Sequence, residues 1–184
     1  INSWHLMSED PEFEFAGVNP CAEETLPAFG SCNLSSINLS EFVKNPFTNK
    51  AEFDFTEFAK IVHNGVIYLN EVLDENMNLH PLKQQREMSR DLRQIGLGIM
   101  GQADMFIKMG VRYGSEESID LIHKIGKVLI NEALRQSALL AKEHGTFPKY
   151  KAEAVLKSPF LLANANKDVY ELIKTYGLRN SQLL

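Results

Sequence analysis

Residues 17–34 read GVNPCAEETLPAFGSCNL and hold both cysteines of the chain, Cys21 and Cys32. An Asn-Pro step precedes the first thiol, two adjacent carboxylates follow it, and small residues separate it from the second. Three readings stand open: free thiols in a loop, a disulfide, or a place where sulfur does chemistry. Pro20 removes a backbone donor and biases Asn19 towards extended geometry. In an extended chain alternate residues share a face, so Asn19, Cys21 and Glu23 are expected to point the same way. An amide, a thiol and a carboxylate would then converge. A neighbouring carboxylate disfavours the thiolate, and no Lys, Arg or His lies between His5 and Lys44. The setting suits a thiol that stays protonated and exchanges a hydrogen atom, with Glu23 as a general base on a hydroxyl. A thiol-dependent hydrolase would need a His brought beside Cys21.

Outward from this stretch, FEFAGVN (13–19) and CNLSSINL (32–39) are short and half-apolar, which predicts strand, irregular loop, strand. Residues 40–50 form a turn-rich connection. From Asp54 the apolar period becomes three to four residues, predicting a long amphipathic helix over 55–76, with Asp54 as N-cap and Glu57 completing a capping box. A second helix starts near Pro81. A brief Gly-rich segment follows, then a helix ended by Gly110. Ser115 caps a helix running to Gly145, although Ser118 stands where a capping box wants Glu or Gln. A shorter helix, a loop and a last helix ending near Gly177 complete the chain. The fold class is α/β and helix-rich, with strands too few to close a sheet on their own. A start without Met adds to the expectation of an internal fragment.

Other features carry less. GLGIMG (96–101) fits a dinucleotide fingerprint by pattern, but that fingerprint needs a preceding strand; close backbone packing beside a strand is preferred. His5, His63, His80, His123 and His144 have no metal-ligand spacing. Met100, Met105 and Met109 read as core, Trp4 as packing, and EVLDEN (71–76) as a solvated helix end. The 184 residues carry a net charge of −5, which gives no basic footprint for a nucleic-acid polymer. No apolar run approaches the roughly 20 residues of a membrane span, and two cysteines do not make a secreted disulfide framework. A cytoplasmic location without membrane contact is expected.

NPCAE with LPAFGSCNLSSINLSEFV resembles the active-site finger loop and following strand of the ribonucleotide reductase catalytic chain. RQIGLGIMGQADMFIKMG (93–110) is similar to a second stretch of that family, and LRNSQLL (178–184) resembles the approach to its phosphate-binding loop. The Pro after Asn resembles the adenosylcobalamin-dependent class II enzymes more than class I. The resemblance implies part of a ten-stranded α/β barrel, with finger loop and flanking strands over about 13–39 and a helical remainder over about 54–181. It implies that Cys21 is the thiyl-radical cysteine that removes the 3′ hydrogen of a ribonucleotide. It further implies that Glu23 accepts the 3′-hydroxyl proton, that Asn19 hydrogen-bonds the substrate hydroxyls, and that Cys32 is one of two reducing thiols, its partner lying in another part of the barrel. A Cys21–Cys32 disulfide is not expected, since it would quench the radical cysteine; Glu24 and Ser31 are read as structural. Adenosylcobalamin, the rest of the reductase chain and a thioredoxin-like reductant are the implied cofactor and partners. The alternatives are a class I enzyme, or a non-catalytic folding or interaction module of the same ancestry.

Overall fold

A computed structural model describes residues 6–183; Trp4 and His5 lie outside them. The centre of the chain is a parallel strand pair, β3 (Asn33–Asn38) and β6 (Ile95–Met100), in register from Asn33 opposite Ile95 to Asn38 opposite Met100. Parallel strands need a long crossover. Here it contains a 3-10 turn (Leu39–Phe42), a two-stranded ribbon of β4 (Val43–Lys44) and β5 (Glu52–Phe53), and helices α1 (Phe55–Met77) and α2 (Lys83–Leu92).

Helix α1 forms where the apolar period predicts it. Asp54 Oδ1 accepts from the Glu57 amide at 3.1 Å, but the reciprocal half of the box is absent, because the Asp54 N–H donates to the Phe42 carbonyl at 2.8 Å, and the Glu57 side chain pairs with Lys60 instead. Its buried stripe of Phe58, Val62, Val66, Leu69 and Leu73 lies against the two strands. Gly65 permits the close fit: a Cβ there would stand 3.1 Å from the methyls of Leu97. Phe58 also packs edge-on against Phe42 and Phe53, closing the core at the ribbon.

Beyond β6 come α3 (Gln102–Met109), α4 (Glu116–His144), α5 (Ala152–Val155), α6 (Pro159–Asn164) and α7 (Lys167–Tyr176). Gly110 and Gly145 cap α3 and α4 as expected. Helix α4 packs on α1, and α7 packs on α4. The last described residues return to the sheet, where Ile95 and Leu97 donate backbone hydrogen bonds to the carbonyls of Gln182 and Leu183. The described residues thus carry one inner layer of sheet and an outer layer of helices, and they do not close a barrel.

Several boundaries differ from expectation. The predicted strand over 13–19 is reduced to β1 (Gly17–Val18), which pairs antiparallel with β2 (Thr25–Leu26), inside what reads as irregular loop. The Gly-rich segment is itself a strand, β6. Helix α2 starts at Lys83 rather than near Pro81, and the single short helix after Gly145 is two, α5 and α6. Met105 is core, but Met100 is 55% exposed, because it lies on the face of β6 turned away from α1. Asp74, within the acidic helix end, takes two hydrogen bonds from the buried Arg93.

Candidate functional site

The expected extended run through Asn19, Cys21 and Glu23 does not form. Ala22 donates its backbone N–H to the Asn19 carbonyl at 2.9 Å, and Ala22 adopts a left-handed φ of 63°. Proline favours the second position of such a turn, where its fixed φ is already correct. Pro20 therefore starts a reversal instead of prolonging a strand. Asn19 locks it from both sides: its backbone N–H donates to the Glu24 carbonyl at 3.2 Å, and its Oδ1 accepts from the Glu24 N–H at 2.9 Å. Alternation of side chains is lost in a turn, so the shared-face argument fails. What the turn does instead is present Cys21 and Glu23 exposed at the tip of the β1–β2 hairpin, with Asn19 half-buried at its neck.

Cys32 stands just before β3. Strand alternation places it on the side of Leu34 and Ser36, opposite the face that packs on α1. Asn33, pointing the other way, donates to the Leu69 carbonyl of α1 at 2.9 Å and anchors the strand there. On β6 the residues of the open side are Gly96, Gly98 and Met100. The absence of a side chain at Gly96 leaves room for Glu24 of the hairpin to settle over the sheet, whereas Gly98 is exposed and a Cβ there would meet only Ser36 Oγ and the Ser35 carbonyl. A Cβ on Gly96 would stand 2.5 Å from Glu24 Oε1 and 3.4 Å from Cys32 Sγ. Both cysteines are free thiols, and no disulfide joins them.

Glu24, read as structural from the sequence, is the carboxylate that meets Cys32. It is 1% exposed, and its Oε2 has no hydrogen-bond partner among the described residues. Burial raises its pKa to about 7; the hydrogen bond from Cys32 opposes this rise, and the charge of Glu23 adds to it. The Cys32 thiol is pushed far upward, first by burial and then by the charge and hydrogen bond of Glu24 and the charge of Glu23. The sulfur also lies 3.7 Å from the Asn33 carbonyl, a weaker acceptor than a carboxylate. The sequence signal for Glu24 was only the doubled carboxylate of CAEET; nothing in it distinguishes which of the pair turns inward.

A cleft of about 260 Å³ opens beside Cys32, lined among others by Ser31, Asn33, Leu73, His80 and Pro81. Ser31 forms a 2.8 Å hydroxyl pair with Ser89 of α2, which fixes the entry to β3. His80 approaches Ser89 at 3.5 Å, while His63 meets Glu132 of α4 at 2.6 Å. Both are half-buried, and His123 and His144 are exposed, as their scatter suggests.

Comparison with known proteins gives this geometry a family. The sequence model of the family described as "Ribonucleotide reductase, barrel domain" matches residues 1–184. A vitamin B12-dependent ribonucleoside-diphosphate reductase of Thermoplasma acidophilum is 36% identical over 137 residues, covering 74% of this chain and 17% of the relative. One of Mycobacterium tuberculosis is 33% identical over 133 residues, covering 72% and 18%. The ribonucleoside-diphosphate reductase large chain of Encephalitozoon cuniculi is 32% identical over 179 residues, covering 90% and 22%. The chain spans about a fifth of the length of the relatives it matches.

Proposed function

Because the chain belongs to the ribonucleotide reductase barrel-domain family, we propose that it supplies the thiol-bearing loop, two barrel strands and the outer helices of a reductase that converts ribonucleotides to deoxyribonucleotides. The observation that carries this reading is the hairpin itself: an exposed free thiol beside an exposed carboxylate, held by the Asn19 clamp over a sheet face where a second free thiol stands. On this reading a Cys21 thiyl takes the 3′ hydrogen of the ribose as its S–H bond forms. Glu23 accepts the 3′-hydroxyl proton, and the amide N–H₂ of Asn19 donates to a substrate hydroxyl while its Oδ1 holds the loop. The 2′ oxygen leaves as water. Cys32 and a second cysteine outside this segment supply two electrons and two protons, one proton leaving with the 2′ oxygen and one hydrogen entering at C2′, and become a disulfide. Glu23 returns its proton to the 3′ oxygen, and Cys21 returns its hydrogen to C3′ and is again the thiyl. A thioredoxin-like dithiol then restores the pair, and the setting is the cytoplasm.

Two named relatives are B12-dependent, and the Asn-Pro step agrees with that class; the Encephalitozoon relative keeps class I as the second reading. Adenosylcobalamin, when bound, supplies the one-electron chemistry. The cleft beside Cys32 is too small for a corrin, and no three His, Cys, Asp or Glu among the described residues cluster as metal ligands. None of these residues is therefore assigned to hold it, and no step is drawn through it.

The test is a graft of this segment into the Thermoplasma reductase in place of its counterpart. The graft should form deoxyribonucleotide from a ribonucleoside diphosphate with adenosylcobalamin and a dithiol, and Cys21→Ser should abolish product. The 184-residue chain by itself should form none. Product from the Cys21→Ser graft would end the reading.

A further inference from the structure

The reaction outlined above gives Glu24 no part, yet this carboxyl occupies the space between the hairpin and the sheet. We infer that Glu24 is a positioning residue for Cys32, its carboxylate accepting the S–H of that thiol and holding the sulfur protonated and aimed. Oε1 and Cys32 Sγ share the space above Gly96, 2.5 Å and 3.4 Å from where a Cβ would stand, so Oε1 is the oxygen placed to accept, whereas Oε2 is buried without a partner. Any side chain at position 96 would enter that space, and the strand carries the one residue that leaves it clear. A buried carboxylate with a single donor is held loosely unless that donor is reliable. The thiol has a second acceptor in the Asn33 carbonyl at 3.7 Å, and the ionised carboxylate is the stronger of the two.

The ionisable groups facing Glu24 are Cys32 ahead of β3 and Glu23 on its own loop; β6 offers only Gly96. With Glu24 protonated the pair holds two protons. With Glu24 ionised it holds one, and that proton sits on sulfur, because the thiol is the weaker acid. The S–H bond is not broken by Glu24. Its contribution is to delay ionisation of Cys32 until another thiol arrives. The catalytic meaning of the pair rests on the reading of Cys32 as a reducing thiol; the pair itself does not.

The experiment uses the Cys21→Ser chain, which leaves Cys32 as the single thiol, and follows its alkylation by iodoacetamide from pH 5 to 10. The log rate should rise with unit slope, flatten as Glu24 ionises near neutral pH, and rise again. Glu24→Gln should give one straight line and react about tenfold faster at pH 8–9, the effect of one pK unit of coupling. Superimposed straight profiles for both proteins would overturn the proposal. Infrared spectra of the chain labelled with ¹³C-glutamate give a second readout that needs no Glu24 variant. A protonated-carboxyl band present at pH 6 should fade by pH 8 and shift in Cys32→Ser. A band unmoved by loss of the thiol would equally overturn it. Separately, a Cys32→Ser graft that still made deoxyribonucleotide would end the reducing-thiol reading and leave the thiol–carboxylate pair intact.

Discussion

Glu24 and Gly96 determine each other at the level of single atoms, and both have consequences in the stability of the isolated chain. The folded carboxyl titrates near 7 against an ordinary value near 4.5. The native state therefore holds this proton more tightly than the unfolded state. Its stabilising contribution is complete below about pH 4.5 and is lost as pH rises through about 7. Glu24→Gln removes the titration. The stability difference between the wild type and this variant should move by on the order of 2–3 kcal/mol in favour of the variant between pH 5 and pH 8. Urea unfolding of both proteins at the two pH values measures it, and an unchanged difference would show that the folded carboxyl titrates normally. Gly96→Ala tests the same contact from the sheet. Its Cβ would lie 2.4 Å from Leu34 Cδ2 and 2.5 Å from Glu24 Oε1. Leu34 is exposed and can turn aside, but Glu24 is enclosed. A loss of about 1–3 kcal/mol is expected, as for other overpacked sites, with the bend in the Cys32 alkylation profile weakened.

Among the elements, α1 shows how local signals and tertiary contacts share the work. Asp54 accepts from the Glu57 amide through Oδ1 and pairs with Lys44 of β4 through Oδ2 at 2.7 Å. Lys44 is largely exposed, so the pair contributes little beside the cap. Asp54→Ala should cost about 1 kcal/mol, whereas Asp54→Asn, which keeps the capping oxygen, should cost less than half of that; thermal unfolding of the two variants separates the effects. This helix was legible in the sequence because its cap and its apolar stripe are both local. The same holds for α4, whose Ser115 cap and Gly145 stop lie where the pattern puts them. Strand β6 was not legible. Ile95, Leu97 and Ile99 alternate with period two, but the residues between them include two glycines, which read as a loop unless one knows that Glu24 of the hairpin sits against Gly96. The hairpin failed for a related reason: Pro20 is compatible with both an extended run and a turn. The partner that decides, the Asn19 contact to Glu24, spans five residues and is not visible in composition. Hence the two cysteines stand out in the sequence, while the inward carboxylate reads as background.

For the whole molecule, the decisive joint is where the last residues meet three other parts of the chain. Asn180, fully buried, donates to Asn70 Oδ1 of α1 and to the Arg93 carbonyl, both at 2.9 Å, and accepts from Ser137 Oγ of α4 at 3.0 Å. Arg93, left-handed at the end of α2, adds hydrogen bonds to Asn70 Oδ1 and to Asp74. Buried polar networks of this kind hold a segment in one register, and their partial removal leaves unpaired groups that each cost free energy. The segment so fixed carries the carbonyls of Gln182 and Leu183 that accept from Ile95 and Leu97. The network thus governs whether β6 keeps a neighbour on its second edge, and through β6 the floor on which Glu24 and Cys32 rest. Asn180→Ala should destabilise the chain by about 2–4 kcal/mol. More tellingly, hydrogen exchange should accelerate at the Ile95 and Leu97 amides well beyond the change at amides in the middle of α4. Equal acceleration everywhere would mean that residues 179–183 are held by packing with the rest of the core, and that the network only adds to global stability.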